Sequence, residues 1–207
     1  MSGADVKKLT GNIHQSGTHL LSLVDDLLDL SRLDGGGRSF SPTSVVVRHE
    51  IEAAMITLAT IADKKRIVID NKCDPHLEWT VDQRAFKQIV INLVNNAIKF
   101  SPPGSTVRVE VGHTDDLMSM SIVDEGPGIA KQDRTRILRP FGRGEEAEAK
   151  KVDGVGLGLT IVSELLKLQG GSLNIESEAG RGSTFTAVFP VGDEVKKADT
   201  RTATLKV

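Results

Sequence analysis

The chain has one cysteine, no apolar run long enough to cross a bilayer and no surplus of positive charge. A lone cysteine, Cys73, excludes an internal disulfide, and no metal-ligand spacing surrounds it. It is expected to be a structural residue at a strand end, in a reducing cytoplasm. A membrane helix needs ~20 consecutive apolar residues, and the start MSGADVKKLT lacks the apolar core of a signal peptide. Lys and Arg number 26 against 28 Asp and Glu, so the overall balance is not one that holds nucleic acid. No internal repeat is present. What remains is the composition of a soluble globular protein, 39% apolar and 26% charged. Its 207 residues suffice for one domain of about 150 residues and an appendage.

The appendage comes first. Val6, Leu9, Ile13, Ser16, Leu20, Leu23, Leu27 and Leu30 are spaced alternately three and four apart, a heptad seam whose only polar member is Ser16. Leu21, Val24 and Leu28 widen it into a second stripe, which suits a bundle of several helices. One such helix has nothing of its own to bury this face against, so a partner helix is implied, most simply from a second copy. DGGG at 34–37 is a turn and linker signal. The expected divisions are a helix over 1–34, a linker over 35–44, a domain over 45–192 and a polar tail over 193–207.

Within the domain, VVV at 45–47 and RIVID at 66–70 read as strands around a helix from about Arg48 to Asp63. TVRVEV and LMSMSIVD read as strands around an HTDD turn, and SLNIES and STFTAVF as strands around AGRG. A helix is expected from about Leu157 to Gln169. The whole is one α/β domain with a largely antiparallel sheet.

Three stretches carry candidate chemistry. In QIVINLVNNAIKFS, at 88–101, apolar residues recur at helical spacing with Phe86, while Gln88, Asn92, Asn95, Asn96 and Lys99 share the opposite face. Asp82, or Thr80 with Gln83, can cap this helix, and PPG at 102–104 ends it. A solvated face is the plain reading, yet asparagine is a poor helix former and three in five residues suggest a use. DEGPGIA at 124–130 puts Asp124 at the end of an apolar strand, with Gly126 and Gly128 after it. It reads as a plain turn, or as a carboxylate able to accept from an exocyclic amine with a thin backbone beside it. GVGLGL at 154–159 runs Gly154, Gly156 and Gly158 into a helix start, where free amides and the dipole favour phosphate. It is no dinucleotide fingerprint, lacking a preceding strand, and no P-loop, lacking Lys-Ser or Lys-Thr.

In this order the motifs resemble the ATP-binding catalytic domain of two-component sensor histidine kinases, of the GHKL superfamily shared with DNA gyrase, the ninety-kilodalton heat-shock chaperone and MutL. NLVNNAIKFS is similar to that family's N box, DEGPGI to its first glycine box, PFGRG to its F box, GVGLGLTIV to its second glycine box, and GRGSTF to the block on its last hairpin. HLLSLVDDLLDLSRLDGG resembles the second helix of the dimerisation hairpin. The fold implied is α+β, a two-layer sandwich of the Bergerat type with a mixed, largely antiparallel sheet, preceded by one long dimerisation helix.

The resemblance further implies that Asn96 ligates the Mg²⁺ bridging the phosphates of ATP, with Asn92 one turn earlier orienting metal and phosphates. Lys99 would bind a phosphate, Phe100 would lie beside adenine, and Asp124 would accept the adenine amino group over a floor of Gly126 and Gly128. Ile129, Leu157, Leu159 and Thr184, within the same blocks, would join the nucleotide site. Arg143 would reach the γ-phosphate, and Gly154, Gly156 and Gly158 would close over the triphosphate beneath a lid formed by the loop between the glycine boxes. Hydrolytic relatives carry glutamate at the first N-box position; Asn92 is no general base, which favours transfer to a histidine, whose ring is substantially neutral near pH 7. The implied partners are a phosphoacceptor helix, a response regulator and a second copy through the N-terminal helix.

One departure is large. The family's acceptor histidine, followed by an acidic residue, Arg and Pro, has no match among His14, His19, His49, His76 and His113. Each of the five reads as a surface or packing residue. The sequence is therefore expected to be a fragment beginning after the acceptor, inactive in autophosphorylation by itself. The rival reading is a degenerate kinase that senses nucleotide or scaffolds a partner; a superfamily ATPase is disfavoured by Asn92.

Overall fold

The computed structural model describes residues 40–145 and 154–190, with Thr10, Gly17, Leu20, Leu21, Val24, Leu27 and Leu28 before them. The chain divides into two units, Met1–Arg38 and Ser39–Val207. In the first, the seven described residues are all helical, and Leu20, Leu21, Val24, Leu27 and Leu28 are all exposed, from 47% to 67%. Val6, Leu9, Ile13, Ser16, Leu23 and Leu30 of the expected seam, His14, His19, the DGGG linker and the 193–207 tail lie outside the described residues.

In the second unit, alternation sets the sheet. Strands β2 (Val68–Asn71), β4 (Thr106–His113), β5 (Leu117–Asp124), β6 (Ser172–Glu178) and β7 (Gly182–Pro190) form five strands in the order β2-β4-β5-β7-β6. The β2–β4 pair is parallel and the others antiparallel, so the sheet is mixed. Val107, Val109, Met118, Met120, Ile122, Phe185, Ala187 and Phe189 turn to one side and are buried. Arg108, Glu110, Ser121, Thr184 and Thr186 alternate with them and keep contact with water. On that outer side the Ser121 and Thr186 hydroxyls meet at 2.9 Å.

A sheet with one apolar face needs a cover, and three helices supply it: α1 (Val47–Lys65), α2 (Gln83–Phe100) and α3 (Gly158–Leu168). The middle helix, α2, packs on α1, α3 and β5. Its apolar stripe, Ala85, Phe86, Ile89, Val90, Leu93, Val94, Ala97 and Ile98, is buried throughout, and Phe86 meets Phe189 with ring centroids 5.4 Å apart. Asp82 caps its start, accepting from Ala85 N–H at 2.8 Å. Its end is capped from outside. Lys65, in the last turn of α1, donates to the carbonyls of Ile98, Lys99 and Ser101 at 3.0, 2.6 and 3.3 Å, groups that a helix C-terminus leaves without partners. This holds Lys99 and Phe100 where they are.

Three local expectations are corrected. Val47 opens α1 rather than ending β1 (Thr43–Val46), and its N–H donates to Leu77 O at 3.0 Å. A strand not foreseen, β3 (Glu78–Val81), pairs antiparallel with β1 in a small second sheet. Four residues, EWTV, carry too short a period to be legible, and the partner is distant in sequence. Cys73 lies beyond the end of β2, buried, its thiol pushed up to about 11 chiefly by burial.

Candidate functional site

The polar face of α2 is not a solvated one. Gln88, Asn92, Asn95, Asn96 and Lys99 are all half-buried, and α3 packs on this helix. Asn92 Nδ2 donates to Gln88 O at 3.1 Å, which leaves its Oδ1 turned to the start of α3. A methyl added at Gly158 would lie 3.0 Å from that oxygen. Two turns on, a methyl at Gly154 would collide with the Lys99 ammonium, and Gly154 sits at φ +124°, where side chains are strained. The first turn of α3 has no side-chain cap. Free helix amides, a cation and an amide oxygen thus face one another. That arrangement suits an anion and a hard cation bound together.

The F-box segment closes a second side. A methyl on Gly156 would stand 2.7 Å from Gly142 O and 3.0 Å from the Phe141 carbonyl carbon, so the F-box segment and the glycine segment before α3 approach backbone to backbone. Arg143 follows directly and is half-buried. Phe141 holds φ 60° although it is not glycine, and it is exposed, a strained position of the kind found at functional loops. Asp133, buried, accepts from Glu145 N–H at 3.1 Å and lies 4.0 Å from the Arg136 guanidinium, so it ties the far end of this segment.

Asp124 closes the third side, at the end of β5 and on the helix-facing side of the sheet. It is 6% exposed. Burial pushes its carboxyl up from 3.8 to about 6, against the lowering effect of N–H bonds from Gly126 and Ser183. The Gly126 bond is 2.8 Å. A methyl at Gly126 would lie 2.7 Å from Asp124 Oδ1 and 3.2 Å from Phe100 O, so this segment is laid against the end of α2. A buried carboxylate with two N–H donors keeps lone pairs for a further donor from a ligand.

The remaining expected residues divide. Asn96, one turn after Asn92, and Leu159 are half-buried at this face. Ile129 is half-buried with its N–H bonded to Ser177 Oγ at 2.8 Å, and a methyl on Gly128 would collide with the Glu178 carbonyl. Leu157 is a core side chain, 2% exposed, and offers only its backbone at the start of α3. Thr184 is not brought to the group. Asp124 pairs with Ser183, so Thr184 points to the opposite face of the sheet. Ser183, Ser177 and Asp133 are neighbours that the motifs alone did not single out; counting the β5–β7 register from Asp124 would have found Ser183. His49, His76 and His113 are exposed. Among the described residues no three His, Cys, Asp or Glu gather as a metal site, so a cation here would rest on amide and ligand oxygens.

The family described as histidine kinase-, DNA gyrase B- and HSP90-like ATPase matches residues 81–193. Histidine protein kinase DivJ of Caulobacter vibrioides is 37% identical over 86% of this chain and 30% of its own length. The "Non-motile and phage-resistance protein" of the same organism is 36% identical over 89% of this chain and 22% of its own. The chain therefore spans less than a third of these relatives. Among solved structures, full-length ShkA in complex with AMPPNP superposes with a TM-score of 0.75 at 29% identity, over 89% of this chain and 38% of that one.

Proposed function

Because the chain belongs to the family of histidine kinase-, DNA gyrase B- and HSP90-like ATPases, we propose that residues 45–192 are the ATP-binding catalytic domain of a sensor histidine kinase. It transfers the γ-phosphoryl group of Mg-ATP to a histidine on another segment, for relay to a response-regulator aspartate. The observation that carries this reading is the meeting of Asn92 with Gly158 and of Lys99 with Gly154. Two motifs some sixty residues apart in sequence thereby form one anion- and cation-binding wall.

On this reading Asp124 accepts the adenine amino group, Phe100 lies beside the base and Gly126 keeps the backbone thin there. Lys99 and the first-turn amides of α3 hold phosphate oxygens, and Arg143 takes the γ-phosphoryl end. Asn96, with Asn92, would hold Mg²⁺, which neutralises charge developing on the phosphates. The Asn92 amide turns an oxygen toward the start of α3, as that role needs, and it has no basicity with which to activate water. Transfer then depends on positioning and charge. The scaffold reading is less well supported, since every side of such a site is furnished.

The exposed leucines and valine of the N-terminal helix, Leu20, Leu21, Val24, Leu27 and Leu28, suit the partners proposed: an acceptor helix and a second copy. Among the described residues no helix is long and apolar enough to cross a membrane; a cytoplasmic place is part of the same proposal. Incubated alone with Mg-ATP, the chain should bind nucleotide, hydrolyse it very slowly and acquire no acid-labile phosphate. A hairpin bearing an acceptor histidine should restore transfer. Phosphate on His14 or His19, or rapid hydrolysis, would overturn the reading.

A further inference from the structure

We propose that Ser177, on β6, is a positioning residue for the base end of this site: its hydroxyl holds the segment 124–129 on the β6–β7 hairpin in the arrangement that presents the Asp124 carboxylate. Ser177 Oγ lies 2.8 Å from Ile129 N, 2.9 Å from Gly182 O and 3.0 Å from Ser183 Oγ. A hydroxyl has one proton and two lone pairs. The Ile129 N–H can only donate and Gly182 O can only accept. Ser177 therefore donates to Gly182, and the Ser183 hydroxyl donates to Ser177. Every capacity of the hydroxyl is used, and its partners belong to both pieces of chain.

The other end of the network is the carboxylate. The Ser183 backbone N–H bonds Asp124, and Ser183 is its partner across the β5–β7 ladder. Two further contacts lay the same segment on the same hairpin, and a third ties down the chain just after it. Gly180 N–H donates to Pro127 O at 2.6 Å, and the Arg134 guanidinium donates to Ser177 O. Gly128, at φ +71°, comes so close to the Glu178 carbonyl that a side chain has no room. The first glycine segment is thus no free loop. Its shape is cast by the hairpin, and the Ser177 hydroxyl, like the Asp124 carboxylate, bonds both.

This inference rests on Asp124 and its neighbours being the adenine end. In Ser177→Ala, the affinities for adenosine and for ATP should fall together, by about tenfold or more. The ratio between the two should stay as in the parent, because the phosphate wall on α2 and α3 is untouched. Without nucleotide, the Ile129 amide should exchange with solvent at least about tenfold faster, while amides of α2 keep their protection. Should Ser177→Ala not fold, Ser177→Cys keeps the size with weaker hydrogen bonds, and the same changes are expected with smaller amplitude. A parent that binds ATP and adenosine, with a variant that binds adenosine as tightly, would overturn the inference alone. So would an ATP-to-adenosine ratio that collapses, which would mark a general structural role. A parent that binds neither would overturn the ATP reading, and the Ile129 exchange rate would still decide whether Ser177 holds the segment.

Discussion

Replacing Asp124 by Asn should stabilise the fold and weaken ATP binding at once. In the folded chain burial raises this carboxyl from 3.8 to about 6, a difference worth about 3 kcal/mol. Between those values the folded state holds a proton that the unfolded chain has released, so stability falls as pH rises. The cost is absent below about pH 4 and complete above about pH 6 to 7. At pH 7.5 the native protein therefore bears a penalty of order 3 kcal/mol for keeping the charge. Asparagine removes the charge and retains one oxygen for the 2.8 Å bond from Gly126 N–H, while the second bond, from Ser183 N–H, is weakened and takes back part of that gain. The variant should be more stable by about 1–3 kcal/mol at pH 7.5, and its advantage should shrink to about half by pH 5. Losing a charged acceptor for the adenine amine costs roughly 1.5–3 kcal/mol, so ATP affinity should fall about ten- to a hundredfold. Urea unfolding at the two pH values and calorimetric titration with ATP and GTP measure both. A variant less stable than the parent at pH 7.5 would refute the desolvation argument. Unchanged ATP affinity, or a parent that binds GTP as well as ATP, would refute the adenine role.

In the parent, ATP affinity should weaken as pH falls through about 6, where Asp124 takes up its proton, and Asp124→Asn should lose that dependence. Asn96→Ala should remove most of the Mg²⁺ dependence of triphosphate binding while adenosine binds as before; a parent-like Mg²⁺ response by calorimetry would return this face to a packing role. Gly158→Ala places a methyl 3.0 Å from Asn92 Oδ1, so ATP affinity should drop with little change in the urea midpoint. Asp133→Ala leaves the Glu145 N–H without its acceptor and should cost about 1–3 kcal/mol in urea unfolding. Because Arg143 lies between Gly142 and Glu145, the preference for ATP over ADP should narrow as well.

How much of this was legible in one dimension follows from the range of the forces involved. Helix α2 was readable because its period and its stop at PPG are local, and a stripe of eight buried residues overrides the poor propensity of its asparagines; the choice of Asp82 over Thr80 as its cap came from the structure. The long strands and both glycine segments were readable for the same reason. The short β3 was not, because its existence depends on a partner strand over thirty residues away. Position within the site was likewise a tertiary matter. One step of register, Asp124 opposite Ser183, turns Thr184 to the outer face and Ser183 to the inner one. Packing made Leu157 a core residue and drew Asn92 and Lys99 against Gly158 and Gly154. Burial alone moved the Asp124 carboxyl toward neutrality. Motif and period, being properties of neighbours along the chain, determined which elements form and which residue types they carry. Which of those residues share one wall, and how strongly water is excluded from it, was decided by contacts between segments far apart in sequence.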